Sequence, residues 1–460
     1  MQLNTTELLN SKHYSIMAIT VLCSTVAFFD FISFVYLADL FSLIFFGNQD
    51  DVWIGYLQTF FLLITGYLAR PVGGLLFGKY GDTHGRKPAF MLSILGVMIT
   101  TLLVALLPTY QQIGIIAPLL LMVARFGQGV AIGGALPAAW TFIVEHLPIK
   151  NIGLGCGLVC ASSMLSYLVV IGLVGFLQDT LTSTQMLSYG WRIPFLIGGT
   201  LGLVAAFLLK NLPETTVFDN ITKPIASLKS YIDSIHLQEQ PNSATLMPSE
   251  QFSLHHAGLL VILKSIVVRH KLSVIISVLI SFIIGSSAIY LPALIMPLLA
   301  SHYQISNEYL YFGSVIGLIF LMLGSIMFGY LTDRFGAGRV LAFGGLLLIT
   351  QVMIFFHHLQ NGGSLILLCF ALLGLSNGLI GALPSIMTRI FPAKVRMTGL
   401  GICYNTTIAV IGGILPFVLG YASFYFSFAP ALYLAVVGML AIFLSFFMYY
   451  TPRSERDLNR

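Results

Sequence analysis

Charge is scarce in this sequence. Of its 460 residues only 8% are Asp, Glu, Lys or Arg, whereas 57% are hydrophobic. Soluble globular domains carry about 25% charged residues. A soluble fold cannot hide this much apolar surface, so the composition excludes a soluble domain and predicts a protein that lies in a lipid bilayer. The net charge of +5 gives no reason to expect a nucleic-acid partner, because the basic residues follow membrane topology.

Signatures of several enzyme classes are also missing. The sequence contains neither the phosphate-binding pattern G-x-x-x-x-G-K-[ST] nor the zinc-binding pattern H-E-x-x-H, so neither an ATP-driven pump nor a zinc hydrolase is supported. All five cysteines lie inside apolar runs and none of the ten histidines lies mid-run, so no disulfide framework, metal site, cofactor or histidine relay is predicted. Gly374–Gly378 matches G-x-S-x-G within an apolar run, without a histidine base nearby, and an enzyme is not expected.

Long apolar runs are abundant. A helix needs about 20 apolar residues to cross a bilayer. Barrel strands would be about ten residues of alternating pattern, half the length of these runs. The sequence therefore predicts an all-α membrane protein with twelve transmembrane helices near 15–46, 53–77, 88–107, 114–142, 153–177, 191–210, 272–300, 309–331, 339–358, 363–388, 397–420 and 428–450.

Two motifs occur once in each half of the chain. Gly78, Asp82 and Gly85, in the segment G-K-Y-G-D-T-H-G-R-K, return as Gly329, Asp333 and Gly336 at a constant offset of 251 residues. The pattern G-x-x-x-x-x-x-G-A-L-P occurs at 127–137 and again at 374–384, an offset of 247. Such a duplication predicts two pseudo-symmetric halves of six helices, 1–210 and 272–460, as in secondary transporters.

The basic residues set the orientation. If the N-terminus starts in the cytoplasm, 19 of the 22 Lys and Arg residues fall in or beside cytoplasmic segments, which predicts that both termini are cytoplasmic. The long connection 211–271 is predicted to be a cytoplasmic linker. Within it Leu228, Tyr231, Ile232 and Ile235 follow helical spacing, which predicts a short amphipathic helix.

Further motifs resemble the major facilitator superfamily, in particular its metabolite:proton symporter branch of proline/betaine, shikimate, citrate and 2-oxoglutarate permeases. The similarity rests on Ala69–Gly78, Trp191–Phe195, Leu212–Thr215, Phe391–Arg396 and the pair Tyr404 and Asn405. It implies a monomer of the cell inner membrane whose partners are a small-molecule solute, protons and lipid. The chain departs from the branch at Ala27 and Ala135, where a glutamate is usual.

Two charged residues lie near the middle of predicted spans. Asp30 is the candidate for proton coupling, because a carboxylate is expensive in the membrane interior unless it is paired or protonated. Arg125 carries a rigid fork of donors that fits a carboxylate. We hypothesise that protonation of Asp30 releases Arg125 to bind the carboxylate of the solute. The alternative is a fixed ion pair that only joins helices.

Uncharged polar residues complete the candidate solute site. Beside Arg125 they could hydrogen-bond the solute, while aromatic faces accept an alkylammonium group. Hydrogen bonding between helices is the equally open alternative. These candidates are Gln128, Tyr290, Asn377, Tyr404 and Asn405.

The repeated charged loop is the candidate gate. The loop resembles one that acts, in the superfamily, as a latch and stabilises the outward-open state. A helix N-terminus or an arginine could hold its aspartate. Ala337 stands where Arg86 stands in the first copy, so the second latch should be weaker. Arg70 could snorkel or pair, and Arg192 could attract anions at the outer mouth. The gating candidates are Arg70, Gly78, Asp82, Gly85, Arg86, Lys87, Asp333 and Arg192.

Together these features predict a secondary active transporter that imports a small carboxylate-bearing or zwitterionic metabolite with protons by alternating access. A proton-driven exporter of amphipathic compounds is the alternative within transporters. A transport-inactive membrane sensor is the alternative from another class.

Overall fold

The computed structural model describes residues 9–46, 52–222, 258–291, 307–360 and 365–450. Within these ranges the chain is almost wholly helical and contains no strand. Twelve of its helices are long and apolar enough to cross a bilayer. The predicted all-α membrane fold with twelve transmembrane helices is therefore confirmed.

The membrane-spanning helices are numbered span 1 to span 12 in chain order. They are Ser11–Tyr36, Val52–His84, Arg86–Leu106, Ile116–His146, Ile152–Thr180, Arg192–Lys210, Lys271–Ile289, Asn307–Phe335, Ala337–Gln360, Ile366–Ile390, Arg396–Tyr425 and Ala429–Tyr450. Span 10 contains a 3₁₀ turn at Gly378–Gly381. Shorter helical pieces are Ala38–Phe46, Tyr110–Ile113, Ile149–Asn151, Ser183–Gln185, Met186–Gly190 and Leu259–Arg269.

The first predicted run, 15–46, is two helices rather than one. Span 1 begins after Asn10, whose side chain caps the helix by accepting from the N–H of His13. It ends at Leu37, where the backbone turns away from helical geometry, and a second helix starts at Ala38. The amphipathic helix predicted at Leu228–Ile235 lies outside the described residues. The helix Leu259–Arg269 falls within the segment predicted as linker.

Helix pairing follows a six-span period. In the first half span 1 packs on span 5, span 2 on span 4, and span 3 on span 6. In the second half span 7 packs on span 11, span 8 on span 10, and span 9 on span 12. Between the halves, span 2 packs on span 11 and span 5 packs on span 8. Span 2 of the first half corresponds to span 8 of the second, and span 5 corresponds to span 11. The two contacts between the halves are therefore equivalent to each other. The contacts thus have the predicted two-fold pseudo-symmetry.

Glycines let the halves touch backbone to backbone. A Cβ atom on Gly74 of span 2 would lie 2.3 Å from the carbonyl oxygen of Gly401 in span 11. A Cβ atom on Gly153 of span 5 would lie 2.3 Å from the carbonyl oxygen of Gly329 in span 8. Small residues of this kind permit close helix approach in membranes. Both contacts between the halves therefore leave no room for a side chain.

The five cysteines are all free thiols buried between helices: Cys23, Cys156, Cys160, Cys369 and Cys403. They belong to the apolar interior that continues through both halves. Their burial keeps them away from the loops at either end of the bundle.

Candidate functional site

A central cavity lies between the two halves. Its volume is about 50 Å³, which is room for a few water molecules. A metabolite can therefore enter only after the halves move apart. Spans 1, 2, 4, 5, 7, 10 and 11 supply the lining, which is Phe28, Phe31, Tyr67, Arg70, Leu136, Trp140, Cys160, Ser163, Met164, Tyr167, Ile284, Gly285, Ala288, Ile289, Ile380, Tyr404 and Ile408.

Arg70 is the single charged side chain among the described residues that line this cavity. Its guanidinium lies 4.5 Å from the ring centroid of Phe31 and 4.9 Å from that of Tyr67. Its Nε atom is buried without a hydrogen-bond partner. Trp140, on the same lining, has a buried Nε1 that lacks a partner of normal geometry and faces the thiol of Cys160. Arg70 Nε is thus a donor on the cavity wall that the protein leaves uncommitted.

Asp30 and Arg125 lie behind the cavity, within the first half. Both side chains are buried, with 1% and 0% of their surface exposed. They interact electrostatically, yet no hydrogen bond joins the Asp30 carboxylate to the guanidinium, and the group beside that carboxylate is the hydroxyl of Thr101. The Arg125 guanidinium lies 3.7 Å from the Phe34 ring centroid and donates to Gln128 Oε1 at 2.8 Å. The predicted pair is therefore close but not locked together, and neither member lines the cavity.

The candidates in the second half divide into two groups. Tyr404 lines the cavity and packs edge to face on Trp140, with ring centroids 4.9 Å apart. Asn377 donates to the Ser287 carbonyl at 3.0 Å and thus links helices. Tyr290 is fully buried and does not line the cavity.

Asn405 joins the two halves of the bundle. Its amide donates at 2.7 Å to the carbonyl of Gly133 in span 4 and at 2.7 Å to the carbonyl of Gly401. Both bonds are made to backbone oxygens, and Asn405 does not line the cavity. In this state its amide hydrogens hold helices together.

Asp82, at the end of span 2, is held by the start of span 11. Its carboxylate accepts hydrogen bonds from the N–H groups of Met397 at 3.1 Å and Thr398 at 2.8 Å. Arg86, one turn later, lies 3.2 Å from the same carboxylate. A carboxylate is stabilised by the unpaired N–H groups at a helix N-terminus. This contact fastens the halves at what we call the charged end, where the repeated loop lies.

Glu145 of span 4 is shared by arginines from both halves. Arg86 Nε lies 3.2 Å from Glu145 Oε2, and Arg396 Nη1 lies 2.9 Å from Oε1. The hydroxyl of Thr215 donates to Oε2 at 2.7 Å. Arg86 also donates across the halves to the carbonyl of Ala393. The glutamate is thus fully bonded within the charged end.

Span 3 begins directly after Gly85 of the repeated loop, and the residue at its N-cap supplies no side-chain hydrogen bond. Gly85 has φ +117°, which favours glycine, and it precedes span 3. Glu214 takes the place of a cap by accepting from the N–H groups of Arg86 and Lys87, each at 3.1 Å. Burial raises the pKa of Glu214, and these N–H groups oppose that rise. Lys87 Nζ donates to the Lys210 carbonyl at 2.7 Å.

The second copy of the loop makes the equivalent contact between the halves. Asp333 accepts from the N–H groups of Gly153 at 2.7 Å and Leu154 at 2.8 Å, at the start of span 5. Gly336 has φ +85°, matching its counterpart in the first loop. Ala337 leaves the second loop without the arginine that pairs with Asp82. The two aspartates are therefore equally well hydrogen-bonded by backbone and unequal in charge pairing.

Two further gating candidates have structural contacts. A Cβ atom on Gly78 would lie 2.6 Å from the Cα atom of Thr398, so only glycine fits this contact. The guanidinium of Arg192 donates to the carbonyls of Ala105, Ser188 and Leu107 at 3.0, 2.7 and 3.0 Å. These bonds tie span 6 to the end of span 3.

Several residues of the site escaped sequence reasoning. Glu145 lies beyond the predicted end of its apolar run at 142, although it is the only acid between the predicted runs 114–142 and 153–177. Phe31, Tyr67 and Trp140 are ordinary aromatic residues in apolar runs, and nothing in their spacing sets them apart. Glu214 belongs to Leu212–Thr215, one of the segments that resemble the superfamily, yet the sequence does not show that its side chain reaches the loop of Gly85.

The fold and the site together define a membrane transport protein, with a central cavity between two pseudo-symmetric halves that are fastened at one end. The sequence matches the family profile of the Major Facilitator Superfamily over residues 17–294 and again over 276–460. The chain belongs to this superfamily, as the sequence motifs predicted, and it is a secondary transporter rather than an enzyme.

Relatives and solved structures agree with this assignment. The chain is 26% identical to the "Putative proline/betaine transporter" of Staphylococcus aureus (strain COL), over 93% of this chain and 86% of that protein. It is 27% identical to the "Inner membrane metabolite transport protein YhjE" of Escherichia coli (strain K12), over 94% and 93%. The structure of the proton:xylose symporter XylE bound to 6-bromo-6-deoxy-D-glucose superimposes with a TM-score of 0.75 at 15% identity, covering 96% of each chain.

Proposed function

We propose that this transporter moves a small carboxylate-bearing or zwitterionic solute together with protons by alternating access. The observation that carries the proposal is Arg70, a buried guanidinium with an unpartnered Nε on the wall of a central cavity whose described lining has no acidic residue. A buried cation without a counter-ion is costly. A solute carboxylate would supply the missing negative charge and the missing acceptor atoms.

The opposite end of the solute would meet aromatic rings. Trp140 and Tyr404 form an edge-to-face pair on the cavity wall, and aromatic faces attract alkylammonium groups. A zwitterion placed with its carboxylate on Arg70 would present its ammonium group to such rings. The printed names of the relatives, which include proline and betaine transporters, are consistent with this class of solute.

Proton coupling is assigned to Asp30. Its carboxylate is buried beside Arg125, without a hydrogen bond to that arginine, and near the hydroxyl of Thr101. The role first expected for Arg125 changes in one respect: the cation that lines the central cavity is Arg70, and Arg125 lies behind it. Arg125 would balance Asp30 when the carboxylate is ionised.

The gate is assigned to the charged end. Asp82 and Asp333 each bridge the halves there, so this end is closed and would have to open to release the solute on that side. The distribution of basic residues supports a cytoplasmic position for this end and for both termini. A monomer of the cell inner membrane, with the linker at 211–271 between its halves, is the arrangement we propose.

Solute uptake tests this function. Cells that express the chain should accumulate labelled proline or betaine, and an uncoupler of the proton gradient should abolish the accumulation. Arg70→Gln should remove the uptake, because the amide cannot replace the guanidinium fork. Asp30→Asn should remove the pH dependence of solute binding, whereas an unchanged pH dependence would exclude Asp30 from proton coupling.

Two other functions give different results in the same assay. Resistance to amphipathic dyes without solute uptake would indicate an exporter. Solute binding by the purified protein without flux in proteoliposomes would indicate a sensor. Uptake of di- or tricarboxylates in preference to zwitterions would reject the single-cation site, because Arg70 can balance only one carboxylate.

A further inference from the structure

The ring of Phe31 in span 1 lies close to the guanidinium groups of two arginines. The Cζ atom of Arg70 lies 4.5 Å from its ring centroid, and the Cζ atom of Arg125 lies 5.2 Å from the same point. The two guanidinium carbons are therefore at most 4.5 + 5.2 = 9.7 Å apart. The ring itself is 3% exposed and is fixed edge to face by Tyr67 at 5.0 Å.

The two arginines have different surroundings. Arg70 and Phe31 line the central cavity, and Arg125 does not. Arg125 is held by Gln128 and by the Phe34 ring. Each arginine acts electrostatically on the other. The ring of Phe31 thus contacts both a cation at the cavity and a cation beside the proposed proton site.

We propose that Phe31 is a positioning residue that couples the proton site to the solute site, by holding the guanidinium groups of Arg125 and Arg70 against one ring. The inference rests on the proposed function, in which Asp30 takes the proton and Arg70 binds the solute carboxylate. The inference adds a physical connection between the two sites. It assigns solute binding to Arg70 and the balancing of the Asp30 charge to Arg125.

The sign of the coupling follows from the charges. When Asp30 is ionised it balances Arg125, so a solute carboxylate meets one uncompensated cation. When Asp30 is protonated, Arg125 adds its attraction to that of Arg70. Over about 10 Å at an effective dielectric constant of about 20, one unit charge changes affinity by roughly tenfold. By linkage, bound solute raises the affinity of Asp30 for its proton equally.

Few other groups act on this path in the described chain. Of the helices packed on span 1, span 4 supplies Arg125 and span 3 supplies Thr101 to the environment of Asp30. Spans 5 and 6 supply no charged group that acts on it. On the cavity side, Tyr67 is the remaining titratable neighbour of both arginines. Asp30 is therefore the group whose titration changes the charge of the cluster.

Binding of betaine and proline to the purified full-length protein tests the proposal. The wild type should bind roughly tenfold more tightly on the acid side of neutrality than on the alkaline side. Phe31→Leu should bring this ratio towards one, because water can screen two cations that no ring separates. Phe31→Tyr keeps the ring and should keep the ratio. Phe29→Leu, a buried position on the same helix that contacts neither arginine, is the matched control.

The possible results distinguish a failure of the role of Phe31 from a failure of the proposed function. A wild type that binds neither probe, or binds without pH dependence, overturns the proposed function and the coupling with it. A pH ratio that Asp30→Asn removes and Phe31→Leu leaves intact overturns the role of Phe31 alone. If the leucine variant does not fold, Phe31→Met replaces it, since methionine keeps most of the volume without a ring, and the same ratio decides.

Discussion

Thr398 binds the carboxylate of Asp82 twice, through its backbone N–H at 2.8 Å and through its hydroxyl at 2.6 Å. The two residues are 316 positions apart in the sequence. They join the end of span 2 to the first turn of span 11, so this contact can exist only while the charged end is closed.

Replacing Asp82 by Asn should open the charged end more often. The substitution removes the negative charge that Arg86 and the helix N-terminus stabilise, and a charge-assisted hydrogen bond contributes about 1.5–3 kcal/mol. We expect roughly tenfold or greater loss of uptake, together with faster labelling of a cysteine introduced at that end. Asp333→Asn is the matched variant, and its effect should be smaller because Arg389, the arginine that acts on Asp333, makes no ion pair with it as close as the 3.2 Å contact of Arg86 with Asp82. Equal effects in the two variants would contradict the role of the arginine.

Replacing Glu145 by Gln should destabilise the fold. The change leaves Arg86 and Arg396 buried beside a neutral group, and breaking a buried ion pair typically costs about 3–5 kcal/mol. Thermal unfolding in detergent should show a clear fall in the midpoint temperature. Asp179→Asn, at an exposed acid, should unfold like the wild type. An unchanged midpoint for the Glu145 variant would show that the shared carboxylate adds no net stability.

Replacing Gly74 by Ala should stop the halves from closing. The added methyl group would lie 2.3 Å from the carbonyl oxygen of Gly401, which is backbone and cannot turn aside. Uptake should be lost while expression and solute binding from the open side persist. Gly172→Ala is the control, because no atom lies within 4 Å of the position of its Cβ. Full activity in the Gly74 variant would show that spans 2 and 11 separate more easily than their contact indicates.

Replacing Glu214 by Gln should change how stability depends on pH. Burial holds the pKa of Glu214 above its usual range. For an acid with a raised folded-state pKa, its contribution to stability is full below the unfolded pKa, about 4.3 for glutamate, and is lost as the pH rises through the folded value. The variant should therefore lose less stability than the wild type as the pH rises from about 4.3 through the folded-state pKa of Glu214. Parallel pH profiles of the two midpoint temperatures would contradict this.

The number of spans and their arrangement in two equivalent halves could be predicted from the sequence, because the length of the apolar runs and the repeated motifs can be read directly from it. The offset that relates Asp82 to Asp333 corresponds to two equivalent contacts in the structure. These features depend on local composition and on order, which a single sequence records directly.

The assignment of the two arginines could not be predicted. Arg70 and Arg125 both lie in helices that are apolar on every side, so no hydrophobic face shows which residue points to the cavity. The answer depends on how span 2 is rotated against span 4, and the contact of Gly129 with the backbone of Gly66 fixes that rotation. Glu145 was missed for a similar reason, since its two partners come from different halves of the chain.

The burial of every native thiol has a practical consequence. Maleimide reagents react with exposed thiols, and the five cysteines of this protein lie inside the closed bundle. While the bundle stays closed, fluorophores or spin labels could therefore be attached to a single engineered site at either end without first removing the native cysteines. Cys160, on the cavity wall, would then become reactive only when the halves part, and its rate of labelling would measure that opening in the unmodified protein.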